Sequence, residues 1–276
     1  MKENLEKYFI KQFQSKYIGD DGAVIGKIVM VQDAFFESIH FKRDWFSIDE
    51  VAYKSVLVNI SDIYSMNAIP KYALLTVAIP KSFSKNDLQL LANGFKRASK
   101  DFNFEIVGGD TISNSKLDIS VTVIGKLRGK PILRGGAKVK DFVAYTGTLG
   151  KTKRDLEKLL NYRKIRKDSP FIKPHLQKKF IFRASRYISS GLDISDGLFS
   201  EMEHIAKESK VGFKYLKKIP KRIGCSGEEY QFLFTFPPRY LKQINYLAKG
   251  LNMKLELFSR VKRDKKFKNI CKLNHF

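Results

Sequence analysis

Five short acidic segments, most of them beside glycine, constrain this chain more than any other feature. Aspartate holds its carboxylate close to the backbone, and neighbouring glycines permit sharp turns and let phosphates approach backbone N–H groups. We expect each segment where a turn meets a strand or helix. Such carboxylates favour Mg²⁺ bridging an anionic ligand, for which ATP is the best candidate. The segments are Gly19–Gly22, Gln32-Asp33, Asn59–Asp62, Gly108–Thr111 and Asp193–Gly197.

Each acidic segment alone is a weak signal, because an Asp beside Gly is usually part of a turn or a helix cap. In Asp193–Gly197, for example, an Asp or Ser could simply cap the helix that follows. Five such segments in one chain favour a shared site over five separate caps.

The chain is strongly basic but shows no concentrated basic surface in its sequence. Its 276 residues include 52 Lys and Arg against 28 Asp and Glu, a net charge of 52 − 28 = +24. The lysines are spread along the chain, and only the stretches 151–166 and 262–268 form runs. A solvated surface explains most of them. A nucleic-acid-binding protein, with lysines and aromatics gathered on one face, remains an alternative.

Composition also narrows the class of protein. No apolar run is long enough to cross a bilayer, and residues 1–6 mix charges instead of forming an apolar signal core. Cys225 and Cys271 lie far apart without a CxxC motif, so a disulfide framework and a zinc site are both disfavoured. We therefore expect a cytoplasmic protein with no membrane partner.

Strands and helices alternate along the chain, which predicts an α/β or α+β fold in two parts. Ser47 and Glu50 form a capping box that opens a helix to about Met66, with Asn59 and Asp62 on one face. The patterns predict helices over 3–14, 47–66, 84–102, 152–163, 175–189, 196–209 and 239–249. They predict a strand or hairpin over 24–31 and strands over 72–79, 104–107, 117–127, 142–146, 211–216, 230–236 and 253–261.

The polar stretch Arg128–Lys140 is the predicted domain joint, which divides the chain into residues 1–135 and 136–276. Just beyond it, residues 143–152 resemble a phosphate-binding P-loop. Tyr145 occupies the position of the first required glycine, so the loop is too short to wrap a phosphate. We interpret it as a strand followed by a tight turn.

The acidic segments occur in a fixed order with other short motifs. The series is GDDGAV (19–24), Asp33, HF (40–41), VNISDI (58–63), IVGGDT (106–111), RGGAK and AYTGTLG within 134–150, DISDGL (193–198) and SGEEY (226–230). This order resembles the thiamine-monophosphate kinase family, in the superfamily of aminoimidazole ribonucleotide synthetase. The resemblance runs from about residue 17 to the C-terminus.

The resemblance implies a two-domain fold of the aminoimidazole ribonucleotide synthetase type. An N-terminal sheet domain would bind ATP and Mg²⁺ and meet its twin in a homodimer, and a C-terminal α/β domain would close over the nucleotide. The implied reaction is transfer of the ATP γ-phosphoryl group to thiamine phosphate, with several Mg²⁺ ions.

The resemblance also implies roles for individual residues. The matching magnesium ligands are Asp21, Asp33, Asp62, Asp110, Asp193 and Asp196. The matching nucleotide contacts are Gly109, Asp110, Arg134 and Ser195, and the matching thiamine phosphate contacts are His40 and Glu228. Among them, Asp62, Asp110 and Arg134 are the expected catalytic residues.

Two departures from the family pattern concern the expected ligands. Val31 and Gln32 precede Asp33 where the family usually has Ser-Thr, which removes a hydroxyl contact to metal. Leu273 stands where the family often carries an aromatic that would face the thiamine ring, and Phe41 or Trp45 could replace it.

Other members of the superfamily remain alternatives, chiefly an ATP-dependent synthetase of the purine-biosynthetic kind. A selenophosphate synthetase would need a reactive Cys near the N-terminus. A hydrogenase-maturation relative would end in one, whereas Cys271 lies five residues short of the C-terminus.

Overall fold

A computed structural model describes residues 5–264 and 267–271. The N-terminal half forms one five-stranded sheet in the order β1-β2-β5-β3-β4, in which only β3 and β4 run parallel. Its elements are α1 (Leu5–Lys11), β1 (Ala23–Ile25), β2 (Ile28–Phe36), α2 (Ile48–Ser65), β3 (Ala68–Pro80), α3 (Lys85–Phe102), β4 (Glu105–Asn114) and β5 (Asp118–Leu127).

The C-terminal half forms a second five-stranded sheet, in the order β7-β9-β6-β10-β8 with every pair antiparallel. The two sheets lie on either side of the predicted joint, and the mixed α/β class is confirmed. The elements of this half are β6 (Phe142–Thr146), α4 (Lys151–Leu160), α5 (Lys178–Ala184), β7 (Ser190–Asp193), α6 (Leu198–Ser209), β8 (Gly212–Tyr215), α7 (Lys221–Gly224), β9 (Phe232–Phe236), α8 (Leu241–Gly250) and β10 (Leu255–Lys262).

Helix α2 lies between the two halves. It begins with the predicted capping box of Ser47 and Glu50, and 14 of its 18 residues are buried. It packs on β2, β3, β5 and α3 of its own sheet and also contacts α5 and β7 of the other half. The polar side chains of a helix buried on all sides must find partners within the protein. We therefore expect those of α2 to contact residues of both halves.

The expectation of a turn at every acidic segment was wrong for three of the five. Asp33 lies inside β2 and Asp62 inside α2. Strand β4, predicted to end at Val107, continues through Gly109 and Asp110 to Asn114. A Cβ at Gly109 would lie 1.8 Å from the Leu75 carbonyl oxygen, so the glycine permits close strand pairing here and does not form a turn.

The outer side of the first sheet is largely uncovered. The side chains of Tyr72 and Leu74 on β3 are 47% and 41% exposed, and Ile112 on β4 is 51% exposed. Thr76 and Asp110, neighbours across β3 and β4, are exposed on the same side. We call this surface, defined by Tyr72, Leu74, Thr76, Asp110 and Ile112, the open sheet face. An antiparallel-type sheet commonly leaves one face to solvent, but apolar side chains there are typical of an interaction surface.

Within the described residues, no helix combines the length and the apolar character needed to cross a bilayer.

Cys225 and Cys271 form a disulfide across a sequence separation of 46 residues. The prediction that these two cysteines form no disulfide, which rested on their wide spacing, was wrong. The chain after β10 folds back on the C-terminal half, where Phe267 packs edge-on against Phe213 at 5.3 Å between ring centroids. The bridge thereby ties residues 267–271 to the turn that follows α7.

We predict that a reductant such as TCEP lowers the free energy of unfolding by about 2–4 kcal/mol, because the open chain gains conformational entropy when unfolded. Urea unfolding with and without TCEP measures this. The double variant Cys225→Ser/Cys271→Ser is the control and should not respond to TCEP. Wild-type protein with equal stability in both conditions would contradict the prediction.

Candidate active site

Three carboxylates from distant parts of the chain meet between the two halves. Oxygens of Asp21, Asp62 and Asp193 all lie within 4.8 Å of one another. Asp21 precedes β1, Asp62 lies on α2, and Asp193 ends β7. The carboxylate of Asp33, on β2, lies close enough to those of Asp62 and Asp193 to repel them. Four of the six predicted metal ligands therefore converge, and we call these four residues the acidic cluster.

Hydroxyl groups one turn apart on α2 hold the outer members of the acidic cluster. Ser61 Oγ donates to Asp193 Oδ2 at 2.5 Å, and Ser65 Oγ donates to Asp21 Oδ2 at 2.7 Å. The three polar positions Ser61, Asp62 and Ser65 are adjacent on the helix surface because residues three and four apart share a face. One helical turn thus positions carboxylates from both halves.

Burial and mutual repulsion make the acidic cluster electrostatically unfavourable. Burial, with repulsion from Asp33 and Asp193, raises the pKa of Asp62 well above its usual range. Burial and Asp21 likewise raise the pKa of Asp193, and burial raises that of Asp33 to about 6. A divalent cation would relieve this repulsion, and clustered carboxylate oxygens are the donors that Mg²⁺ prefers. The residues present therefore fit a magnesium site.

Arg134 lies at the edge of the acidic cluster. Its Nε donates to Asp21 Oδ1 at 2.9 Å, and its backbone N–H donates to Asp20 Oδ1 at 2.7 Å. Burial alone would lower the pKa of Arg134, but the charges of Asp21 and Glu201 more than offset this and raise it. Asp20 acts as a support for the loop, and Arg134 supplies a fixed positive charge beside the carboxylates.

The turn Asp193–Gly197 is held by a buried acid that the sequence analysis missed. Glu201 Oε1 accepts hydrogen bonds from the Asp196 backbone N–H at 2.9 Å and from Ser195 Oγ at 3.5 Å. Glu201 is only 2% exposed, and burial raises its pKa to about 8. An acid in the first turn of a helix, shortly after an Asp-Gly turn, is the signal that could have indicated this role.

Glu228 lies on a turn that is joined to the Asp193–Gly197 turn. Its backbone N–H donates to the Ser195 carbonyl at 2.6 Å. Its Oε1 accepts from the Tyr230 hydroxyl at 3.0 Å, and its Oε2 pairs with Lys54 Nζ at 2.9 Å. Burial would raise the pKa of Glu228, but Lys54, with the Tyr230 hydroxyl and His40, more than offsets burial and lowers it. Glu228 was predicted from the sequence, but Lys54 was not, because a lysine within an apolar helix gives no local signal of its partner.

His40 lies close to this turn. Its Nδ1 accepts a hydrogen bond from the Phe36 backbone N–H at 2.9 Å, and its ring stacks on Phe35 at 5.8 Å between centroids. His40 is also within electrostatic range of the Glu228 carboxylate. The two predicted contacts to thiamine phosphate are therefore brought together.

The P-loop-like segment does not present free amides to a phosphate. The buried carboxylate of Glu229 accepts from the Gly150 backbone N–H and from Ser226 Oγ, both at 2.5 Å. Strand β6 and helix α4 flank a turn of only four residues, 147–150. This arrangement agrees with the interpretation of a strand followed by a tight turn.

Two predicted contacts, Gly109 and Asp110, do not join the acidic cluster within this chain. Strands β5 and β3 separate β4 from β2, so Asp33 is about 14 Å from the matching position of β4 at about 4.8 Å per strand. Asp33 is paired with buried Val121, whereas Asp110 is paired with Thr76 on the open sheet face. The pleat therefore directs the two carboxylates to opposite sides of the sheet.

Four other residues were predicted to contact metal or the thiamine ring: Asp196, Leu273, Phe41 and Trp45. Asp196 is exposed and is not one of the three carboxylates that meet at 4.8 Å. Leu273 lies outside the described residues. Of the two aromatic candidates, Phe41 is 1% exposed and stacked on Phe35, so it offers no free ring face, whereas Trp45 lines a cavity of about 560 Å³ together with Phe46 and Ile172.

We predict that metal-free protein loses stability as the pH rises from about 4 through about 6, because the pKa of Asp33 is raised from 3.8 to about 6 and its charged form is disfavoured in the fold. The variant Asp33→Asn should lack this contribution and be about 1–3 kcal/mol more stable than wild type at pH 7. Urea unfolding of both proteins in EDTA between pH 4 and pH 7 tests this, with Mg²⁺ as the condition that should flatten the wild-type curve. Equal pH slopes for the two metal-free proteins would contradict the prediction.

Comparison with known proteins places this geometry in a family. Residues 19–127 match the family model described as AIR synthase related protein, N-terminal domain. The thiamine-monophosphate kinase of Aquifex aeolicus (strain VF5) is 30% identical over 257 residues, covering 82% of this chain and 83% of that protein. The enzyme of Bacillus subtilis (strain 168) is 34% identical over 219 residues, covering 73% and 67%.

Solved structures agree with the sequence relatives. The structure of AaThiL complexed with AMPPCP and TMP superimposes with a TM-score of 0.86 at 25% identity, covering 99% of this chain and 96% of that one. The similarity therefore extends over both sheets of this chain. By sequence and by fold, the chain belongs to the thiamine-monophosphate kinase family.

Proposed function

We propose that this protein transfers the γ-phosphoryl group of ATP to thiamine phosphate, giving thiamine diphosphate and ADP. The observation that carries the proposal is the acidic cluster, in which Asp21, Asp33, Asp62 and Asp193 converge from both halves of a chain whose relatives are thiamine-monophosphate kinases. The similar structure of AaThiL was solved with AMPPCP and TMP, which supports the same pair of substrates here.

The residues of the site suit a direct transfer. The acceptor is a phosphate that is already ionised at neutral pH, so no strong general base is required. Catalysis then depends on in-line positioning and on neutralising the charge of the transferring group. Mg²⁺ held by the acidic cluster would supply most of that neutralisation, and the guanidinium of Arg134 lies at its edge. No residue needs to carry the phosphoryl group, and detection of a phosphorylated side chain during turnover would contradict this mechanism.

We place the acceptor at the other end of the site, beside His40 and Glu228. The turn that carries Glu228 is tied to Ser195 by the hydrogen bond from the Glu228 backbone N–H, so the acceptor and nucleotide ends are built on neighbouring turns. Trp45 lines the nearby cavity and is the aromatic we assign to the thiamine ring. Ser195 and Asp196 are assigned to the nucleotide and its metal.

We also propose a homodimer formed through the open sheet face. The two domains are residues 1–135 and 136–276, and the N-terminal domain carries the exposed apolar side chains of Tyr72, Leu74 and Ile112. Asp110 belongs to the same face and points away from the acidic cluster of its own chain. In a dimer built on this face, Gly109 and Asp110 of one copy would serve the nucleotide site of the other. A cytoplasmic location remains part of the proposal.

The first test is an assay for thiamine diphosphate and ADP from ATP and thiamine phosphate in Mg²⁺. We expect wild-type protein to be active and Asp62→Asn to lose at least about 100-fold in kcat, because a ligand in a charge-neutralising site is removed. Asp168→Asn is the matched control, since Asp168 is exposed and pairs only with Arg166 among the contacts described. A wild-type protein that makes no thiamine diphosphate would contradict the function.

Thermal stabilisation by nucleic acid but not by an ATP analogue with Mg²⁺ would favour the nucleic-acid alternative.

The second test asks whether Asp110 acts across the dimer. The variants Asp62→Asn and Asp110→Asn should each be inactive alone, yet an exchanged equal mixture should recover about a quarter of wild-type activity, because about half the dimers are mixed and each has one complete site. Mixing Asp62→Asn with wild-type-like Asp168→Asn should give about half of wild-type activity with or without exchange and controls for activity lost on mixing, and native mass spectrometry measures the fraction of mixed dimers. No recovery in a mixture shown to contain mixed dimers would contradict a shared site.

A further inference from the structure

Lys54 is a fully buried cation at the boundary between the two halves. It lies on α2 with 0% of its surface exposed. Its Nζ donates to the Phe171 carbonyl oxygen at 2.7 Å and pairs with Glu228 Oε2 at 2.9 Å. The same Nζ lies 4.6 Å from the ring centroid of Phe171, 5.4 Å from that of Phe46 and 5.6 Å from that of Phe35. We call this set of three rings the aromatic cage.

The stability of the fold does not account for this arrangement. Removing the Lys54 ammonium from water costs several kcal/mol, and its attraction to the Glu228 carboxylate, whose side chain is 33% exposed, often does no more than offset that cost. An apolar side chain of the same length would fill the aromatic cage without a desolvation penalty. The buried ammonium therefore indicates a requirement at Glu228, the half-buried partner that reaches the site.

Glu228 is held in an uncommon conformation. Its backbone φ is +59° and that of Tyr230 is +48°, both in the left-handed region that non-glycine residues rarely adopt. Such strain is characteristic of functional turns and persists where surrounding contacts enforce it. The contacts here are the Tyr230 hydroxyl on Oε1, Lys54 on Oε2 and the Ser195 carbonyl on the backbone N–H. Oε1 is thus held by a hydrogen bond, whereas Oε2 has no hydrogen-bond partner among the described residues and is held by its ion pair with Lys54.

Lys54 comes from the N-terminal half, whereas Glu228 and Phe171 belong to the C-terminal half. The ion pair therefore sets the position of the turn that carries Glu228 relative to α2, the helix that also carries Asp62. Because Lys54 is fully buried, it cannot touch a substrate, and any effect on the reaction must pass through Glu228.

We propose that Lys54 is a positioning residue that fixes the carboxylate of Glu228 for the acceptor substrate and thereby sets the KM for thiamine phosphate. The inference rests on the proposed function, since it assigns Glu228 to the acceptor. The nucleotide end of the site uses other residues, so the KM for ATP should be independent of Lys54.

The experiment compares steady-state kinetics of Lys54→Met, which keeps the length of the side chain and removes its charge. We expect the KM for thiamine phosphate to rise about tenfold, as for loss of a charge-assisted contact that orients a binding group, while the KM for ATP changes less than about twofold. Lys173→Met is the matched control, because Lys173 is exposed, lies two residues from Phe171 and pairs with Asp101 at 3.8 Å. It should leave both KM values unchanged.

A double-mutant cycle separates positioning from a general structural role. Glu228→Gln should itself raise the KM for thiamine phosphate, and Lys54→Met should add less than about twofold in the Glu228→Gln background, because its effect acts through that carboxylate. Additive effects, or equal rises in both KM values, would overturn the proposal. If Lys54→Met alone does not fold, the comparison of Glu228→Gln with the double variant, which removes both charges, still decides it.

The outcomes also distinguish this proposal from the proposed function. A wild-type protein without thiamine diphosphate formation contradicts the function. In that case a crystal structure of Lys54→Met decides the role of Lys54: we expect the Glu228 carboxylate to leave its contact with the Tyr230 hydroxyl, and an unchanged carboxylate would overturn the positioning role.

Discussion

The structure depends on satisfying polar groups along a helix that is buried on every side. Helix α2 carries Lys54, Ser61, Asp62 and Ser65 into the boundary between the two sheets. Their partners are Glu228, Asp193 and Asp21, which come from both sides of that boundary. An unpaired group of this kind costs about 1–3 kcal/mol or more, as Asn59 Oδ1 on α2 does, so the partners that both halves supply stabilise the buried helix. The same contacts that join the halves therefore assemble the site.

The acidic cluster destabilises the fold, unlike the polar contacts of α2. Its carboxylates repel one another, and burial disfavours their charged forms, as the raised pKa values of Asp62 and Asp193 indicate. A protein without a metal would gain stability by losing these charges. The hydroxyl groups of α2 and the guanidinium of Arg134 hold them in place nonetheless. This is the pattern expected when local stability is sacrificed for ligand binding.

Much of the fold could be predicted from local signals. The capping box at Ser47, the alternation in β5 and the apolar run of β6 gave elements close to those observed, because each depends on neighbours in the sequence. The short strand β7 was missed because its four residues carry too little pattern. The extension of β4 through Gly109 was missed because it depends on close pairing with Leu75, a contact that no local pattern records.

The sequence by itself determined the set of acidic residues, their order and hence the family, because these are properties of residue type and spacing. Only the tertiary structure decided which carboxylates meet. It brought Asp21, Asp62 and Asp193 together across two sheets and placed Asp110 on the opposite side of the first sheet, since strand order and pleat direction arise from long-range pairing. It also joined Lys54 to Glu228 and Cys225 to Cys271, pairs that are far apart in the chain and meet only when the C-terminal half packs on itself and on α2.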